Sequence, residues 1–450
     1  MPADSPPATP LRPLALRKHR GRPRPLRRVN RFLRVLGPGL ITGAADDDPS
    51  GIGTYSQSGA LFGVGQLWVA LYVLPLVIAV QEMCGRIGLV TEQGIAGVVR
   101  KHYRRRVLVA AVLLLFVANT INVGADLGAM AASVRLLMPA VPYVPLLIAF
   151  ALGMLAVEVF VPYRYYARVL KLLTLSLLTY VAAGVVIQPD WGRLLLATLV
   201  PRIDLTPAYL ALVVGLLGTT ISPYLFFWQA SEEVEEATAH HRLRHGDDKP
   251  REAAALRKQM HALRLDTVFG LVAASVTFWF IVMAAGSTLH VHGITNIQSA
   301  AEAAQALRPI AGPFAQALFA VGIIGTGLLA VPVLAGSAAY GIAEAAGWRE
   351  GLGETLDHAR GFYAVIALST LVGLALNFLG INPIAALVYT AVINGIVAVP
   401  LLALILRVAN DRAIMGEHAN GRLANVFGGL TLVVMAAAAL VTVGALFIHP

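Results

Sequence analysis

Long apolar runs, separated by short polar stretches, organise this chain. Several reach the roughly 20 residues that cross a bilayer core, and none alternates with the ten-residue rhythm of a membrane barrel strand. The pattern predicts eleven helices, at about 37–62, 66–88, 106–136, 143–161, 165–187, 207–229, 262–285, 312–345, 360–379, 383–408 and 423–447. With no water to satisfy the backbone in the core, helices are the economical reading. The segment 230–261 is the one sizeable polar insertion and predicts a solvated loop. Its histidines His240, His241 and His245 are conceivable metal ligands, but the loop reading is simpler.

Two of the predicted helices are interrupted. The first carries ADDDPSG at 45–51 and the sixth carries GTTISPY at 218–224, each with a proline in mid-span. Proline removes a backbone donor and clashes with the preceding turn. The breaks hold corresponding positions if helices 1–5 and 6–10 form two repeats, about 35–188 and 207–408, inside a core of 35–410. Such paired interruptions point to a binding site in a secondary transporter.

Asp46, Asp47 and Asp48 put three carboxylates inside the first interruption. An acid at a helix centre costs about 2.5–3.5 kcal/mol on insertion scales. A capped, solvated turn would explain them, yet GPGLITGAA before and GIGTYSQSGALFG after are both membrane-like. A metal cation or protons would supply the missing charge. The end of the first half-helix adds partial negative charge, which also favours a cation. The partner break offers Thr219, Thr220, Ser222, Tyr224 and freed carbonyls: oxygen donors only. Oxygen suits magnesium, calcium or manganese better than later transition metals, and magnesium takes few protein ligands and keeps waters.

Other polar residues in the spans are weaker candidates. Asp126 is an ion relay or a packed, hydrogen-bonded acid. Asn394 is a further oxygen ligand or an interhelical hydrogen bond beside Gly395. Gln57 lines the outer half of the pathway. Glu82, Glu158 and Glu344 read as anchors or gate ion pairs near helix ends, and Trp68, Tyr163, Tyr165 and Tyr166 as interface residues.

Composition agrees with the pattern. Of 450 residues, 57% are apolar and 13% charged, against about 25% charged in a soluble domain; mean hydropathy is +0.71. The net charge of +10 sits almost wholly in residues 1–34, where ten Lys or Arg face the single acid Asp4. This Pro-rich tail reads as disordered, cytoplasmic and lipid-facing rather than as a nucleic-acid arm. It lacks the apolar core of a signal peptide. The remaining Lys and Arg fall mostly in alternate loops (89–105, 162–168, 230–261, 346–359, 409–422), which puts the N-terminus inside and the C-terminus outside. The one cysteine, Cys84, excludes a disulfide framework within the chain and reads as core. Residues 411–450 form a last loop and an extra helix. Nothing in the chain settles the oligomeric state.

GPGLITGAADDDPSGIGTYSQSGALFG resembles the first helix of the Nramp divalent metal-ion transporters, whose signature there is Asp-Pro-Gly-Asn. GLLGTTISPYLFFWQAS resembles that family's second signature, Met-Pro-His. The resemblance covers roughly 35–410 and implies an all-α, LeuT-like membrane fold of five plus five inverted helices with one extra, helices 1 and 6 broken. It aligns the signature Asp and Pro with Asp48 and Pro49, the Asn with Gly51, the Met with Ser222 and the His with Tyr224. The family's backbone carbonyl ligand falls at Thr219. Asp126 matches an acid used in proton movement, whose nearby Glu is Ala129 here. Loss of the soft Met resembles the Nramp-related magnesium transporters, and loss of the His and Glu implies weak or absent proton coupling.

The expected function is therefore not enzymatic. It is transport of a divalent cation, magnesium first and manganese second, by alternating access, in a bacterial inner or plasma membrane and with no resident cofactor. Asp48, Asp47, Thr219, Ser222, Tyr224, Gly51 and Asn394 are the expected ligands, with Asp46, Asp126 and Gln57 on the pathway. A proton-coupled manganese or iron importer is the alternative, followed by an ion-coupled organic solute carrier of the same fold. An intramembrane hydrolase using Asp48 and Asp126 as a carboxylate pair leaves the paired breaks without a purpose.

Overall fold

The computed structural model describes residues 43, 45–161, 181–182, 190–242 and 249–448. The basic tail, the expected fifth helix at 165–187 with Tyr165 and Tyr166, Tyr163, and most of the first half of helix 1 lie outside them. The described residues are helical and contain no strand. Among the described residues, nine helical stretches are long and apolar enough to cross a membrane.

The helices in chain order are α1 (Pro49–Phe62), α2 (Leu67–Thr91), α3 (Ile95–His102), α4 (Arg105–Leu137), α5 (Tyr143–Phe160), α6 (Trp191–Leu199), α7 (Pro207–Thr220), α8 (Pro223–Arg242), α9 (Lys249–Thr288), α10 (Ala315–Ala346), α11 (Arg360–Leu376), α12 (Pro383–Asn410) and α13 (Arg422–Ile448). Their starts follow ordinary rules. Pro49, Pro207 and Pro383 occupy the first turn, where the missing N–H is not needed. Asp48 and Asn382 cap α1 and α12 with their side-chain oxygens, which satisfies otherwise orphaned N–H groups.

Burial orders the helices. The α7–α8 window is 89% buried, whereas those of α5 and α13 are 22% and 28% buried. The sixth expected span is therefore central and the other two peripheral. α10 runs along α4, α7 along α12, and α9 along α1 and α2. Without a hydrophobic force between helices in lipid, close packing depends on small residues. Gly218 of α7 and Gly395 of α12 provide it: a Cβ on Gly218 would stand 2.6 Å from Gly395 Cα. On the outside, Leu113, Leu152, Leu371, Val433 and Leu440 are exposed, as a lipid-facing surface requires.

Two regions differ from the expectation. The expected loop 230–261 is largely helical, because α8 continues to Arg242 and α9 begins at Lys249. Glu, Ala, Leu, Lys and Arg dominate this stretch, and all are strong helix formers. His240 and His241 close α8, and His245 lies outside the described residues. The loops at 89–105 and 190–206 carry the short helices α3 and α6; the first buries Ile95, Ala96, Val98 and Val99 against the bundle and turns its basic last turn outward. The sixth span is interrupted within the expected 218–224 stretch, at Ile221 (φ −106°, ψ 61°) and Ser222, ahead of Pro223.

Candidate cation site

The site forms where the start of α1 meets the α7–α8 break. Ala45 and Asp46 are helical, Asp47 is in a turn, and Asp48 is extended (φ −64°, ψ 170°) before α1 begins. Asp48 is thus an N-cap, and its carboxylate is held from several directions. Oδ1 accepts from Gly51 N at 2.6 Å and from Ser50 Oγ at 2.7 Å. Oδ2 accepts from Asn122 Nδ2 of α4 at 3.1 Å. Two of these donors belong to the turn that the Asp-Pro-Ser-Gly sequence makes. The third comes from a neighbouring helix.

Thr219 joins through its hydroxyl, 3.5 Å from Ser50 Oγ. Across the break, Ser222 Oγ donates to the carbonyls of Gly218 (2.6 Å) and Thr219 (2.7 Å), so one lone pair of the Thr219 carbonyl is already used. Tyr224 donates to the Ala45 carbonyl at 2.7 Å, and its own carbonyl accepts from Ser337 Oγ of α10 at 2.7 Å. Gly51 contributes its N–H and no side chain.

Asp126 lies one turn beyond Asn122 on α4, beside Asp48 and the Ser50 N–H. Its two carboxylate oxygens make no hydrogen bond among the described residues. Asp46 and Asp47 each keep one oxygen without a partner, and the Thr277 hydroxyl of α9 is beside Asp47. All four acids are at most 2% exposed, and no Lys or Arg is buried among the described residues. Four carboxyl groups without a basic counter-ion are expensive in any low-dielectric setting.

The structure thus brings Asp46, Asp47, Asp48, Gly51, Asp126, Thr219, Ser222 and Tyr224 into the region where the start of α1 meets the α7–α8 break. Two expected residues are used differently. Gln57 is occupied at both ends of its amide, donating to Thr295 O (3.0 Å) and accepting from Ile297 N (2.9 Å); it clasps the 295–297 backbone. Asn394 is buried beside Gly395 at the α7–α12 crossing, with Nδ2 unpartnered, and none of the described hydrogen bonds joins it to the acids. Among the described residues, no group of three or more His, Cys, Asp or Glu side chains forms a metal cage. Hard cations can be held by one or two carboxylates, with other oxygens and water completing the shell.

Of the expected anchors, Glu82 pairs with Arg264 of α9 at 3.7 Å. Trp68 donates to Tyr209 Oη at 3.1 Å. Glu158 differs: it is buried with neither oxygen partnered among the described residues, so it is no ion pair there. Glu344 is also buried and makes no ion pair among the described residues. Its Oε1 accepts from Ser231 Oγ (2.8 Å) and its Oε2 from Gly97 N (2.9 Å). It borders a cavity of about 470 Å³ lined also by Glu92, Arg100, Glu235 and Glu350. Asn122 was not singled out by sequence; its spacing of four from Asp126, which puts both on one helix face, was the available signal.

A profile described as "Natural resistance-associated macrophage protein-like" (Nramp) matches residues 39–445. The divalent metal cation transporter MntH of Acidiphilium cryptum is 26% identical over 398 residues, covering 85% of this chain and 84% of that protein. The MntH of Yersinia pestis (strain Pestoides F) is 26% identical over 317 residues, 68% of this chain and 71% of its own. The crystal structure of the Eremococcus coleocola manganese transporter superposes with a TM-score of 0.73 at 16% identity, covering 93% of this chain and 87% of that one. The expected all-helical transporter fold is the one observed, and the match over nearly the whole chain makes it a member of the Nramp family.

Proposed function

We propose that this chain carries a divalent metal cation across the membrane, manganese before magnesium, through the Asp48 site between the two interrupted helices. One observation carries the reading: four buried carboxyl groups converge with no buried Lys or Arg among the described residues. A cation or protons must neutralise them. The donors are oxygens throughout, which suits manganese and magnesium alike. Relatives named as divalent metal cation transporters, and a structural neighbour named as a manganese transporter, favour manganese as the first ion. That reverses the order suggested by the missing Met. Magnesium remains the second reading because the break itself, residues 218–224, carries no thioether or imidazole to disfavour it.

Transport is by alternating access of two inverted repeats, with the site near the midplane. Proton coupling is weak: Ala129 stands where the family has an acid, and the hydroxyl of Tyr224, where the family has a His, is engaged with Ala45. Manganese flux into proteoliposomes, with magnesium as competitor and a pH dye inside, tests all three points. We expect saturable manganese uptake, abolished by Asp48→Ala, inhibited by millimolar magnesium, with little acidification. Absence of flux for every divalent ion sinks the reading. Uptake of manganese untouched by magnesium sinks the second.

A further inference from the structure

Position 51 has no side chain, and the space beside it is taken. A Cβ on Gly51 would stand 3.2 Å from Thr219 Oγ1, 3.3 Å from Asp46 O and 3.4 Å from Asp48 Oδ1. A side chain there would have to push Thr219 back by a few tenths of an ångström. Position 51 itself therefore brings no side-chain oxygen to a cation on Asp48.

Asn122 of α4 is in place to do so. It is fully buried, and its amide meets Asp48 Oδ2 through Nδ2 at 3.1 Å. Its Oδ1 has no partner among the described residues. A half-satisfied amide in an apolar helix is unfavourable unless something completes it. Asn119, one turn back, also keeps its Oδ1 unpartnered among the described residues, but its Nδ2 donates to the backbone, to Leu334 O of α10 at 3.0 Å, and not to a carboxylate. Asn122 and Asp126 instead share the face turned toward Asp48 and Ser50.

We propose that Asn122 is a ligand of the transported cation, supplying through Oδ1 the amide oxygen that Gly51 does not. This rests on the Asp48 reading above. The NH2 group faces the carboxylate, because a carbonyl oxygen there would be repelled. A cation on Asp48 reverses that preference. The amide torsion is soft and nearly two-fold, and turning it breaks only the contact to Asp48, since Oδ1 is unpartnered. An amide oxygen is a hard ligand suited to manganese or magnesium. The residue thus stabilises the empty carboxylate in one orientation and the loaded site in the other.

The test is a structure of the full chain with manganese, located by anomalous scattering, together with manganese binding to Asn122→Leu and Asp48→Ala by calorimetry. We expect Oδ1 within about 2.0–2.6 Å of the ion, and a manganese Kd raised about tenfold or more in Asn122→Leu. Since a residue that merely orients Asp48 also changes affinity about 10–100-fold, the distance decides between the roles. An ion on Asp48 with Nδ2 still facing the carboxylate overturns the inference and leaves the site reading standing. So does a Kd for Asn122→Leu within twofold of the parent. An ion elsewhere, or binding undisturbed by Asp48→Ala, overturns both. Should Asn122→Leu not fold, the distance in the parent chain still decides.

Discussion

The hydroxyl of Tyr224 donates to the carbonyl oxygen of Ala45 over 2.7 Å, tying the first residue of the second half-span past Pro223 to the chain just before the acids. The bond closes a carbonyl at the end of a half-helix, where no intrahelical donor is left. Tyr224→Phe removes the donor, keeps the ring, and strands a buried acceptor at a cost of about 1–3 kcal/mol. Asp48 and its three donors are untouched. We expect a lower melting temperature by size-exclusion thermostability and slower manganese uptake, with manganese Kd changed less than the uptake rate. An unchanged melting temperature would show that the bond holds nothing together.

Glu344 does similar work at another end of the bundle. Gly94 begins α3 without a side-chain cap, and Glu344 of α10 supplies one from outside by accepting from Gly97 N, while its other oxygen accepts from Ser231 of α8. A carboxylate at a helix N-terminus also meets the positive end of the dipole. Glu344→Ala should destabilise the fold by about 2–4 kcal/mol, given two hydrogen bonds to a charged group. Hydrogen exchange should rise over 95–102 first. Protection of those amides left at the parent level would contradict the capping role.

How much of this was legible follows from cost. Three acids and a proline inside an apolar span are too expensive to be accidental, so Asp48, Pro49 and the matching Ser222-Pro223 break stood out. Asn122 did not, because a lone Asn in an apolar helix looks the same whether it bridges helices, as Asn119 does, or faces the acids; only its neighbours distinguish the two. The partners of Gln57 were hidden for the same reason, since they are backbone atoms 238 and 240 positions away. The 230–261 stretch was read by polarity, which marks exposure, when its composition of helix formers determines its backbone. Glu158 looked like a helix-end anchor by position, but its burial depends on tertiary packing.

Glu350 gives a pH test outside the spans. Burial, with Glu344 and Glu235 nearby, pushes its carboxyl up to about 9, against a smaller opposing effect of Arg100. An acid whose folded pKa lies above its unfolded one favours folding fully below the unfolded value. That contribution is lost as pH rises through the folded value. The window is therefore about pH 4.5 to 9. Glu350→Gln stays neutral throughout, so its melting temperature should match the parent near pH 4.5 and exceed it by a margin that widens toward pH 9. Parallel profiles across that range would refute the assignment.

The crossing of α7 and α12 sets the depth at which Thr219 meets the acids. Gly218 and Gly395 face each other there, and a Cβ on Gly218 would press on Gly395 Cα at 2.6 Å, with the neighbouring backbone as close. The obstacle is main chain on both sides, so no side chain can swing away. Gly218→Ala must separate the helices, and overpacking of this kind costs about 1–3 kcal/mol. Thr219 is the next residue, so the same displacement moves its hydroxyl away from Ser50, now 3.5 Å distant. Gly444→Ala on α13, where nothing lies within 4 Å of an added Cβ, is the matched control. Gly218→Ala should lower both melting temperature and manganese affinity, and Gly444→Ala neither. Loss of stability without loss of affinity would mean that the crossing supports the fold but does not position the site.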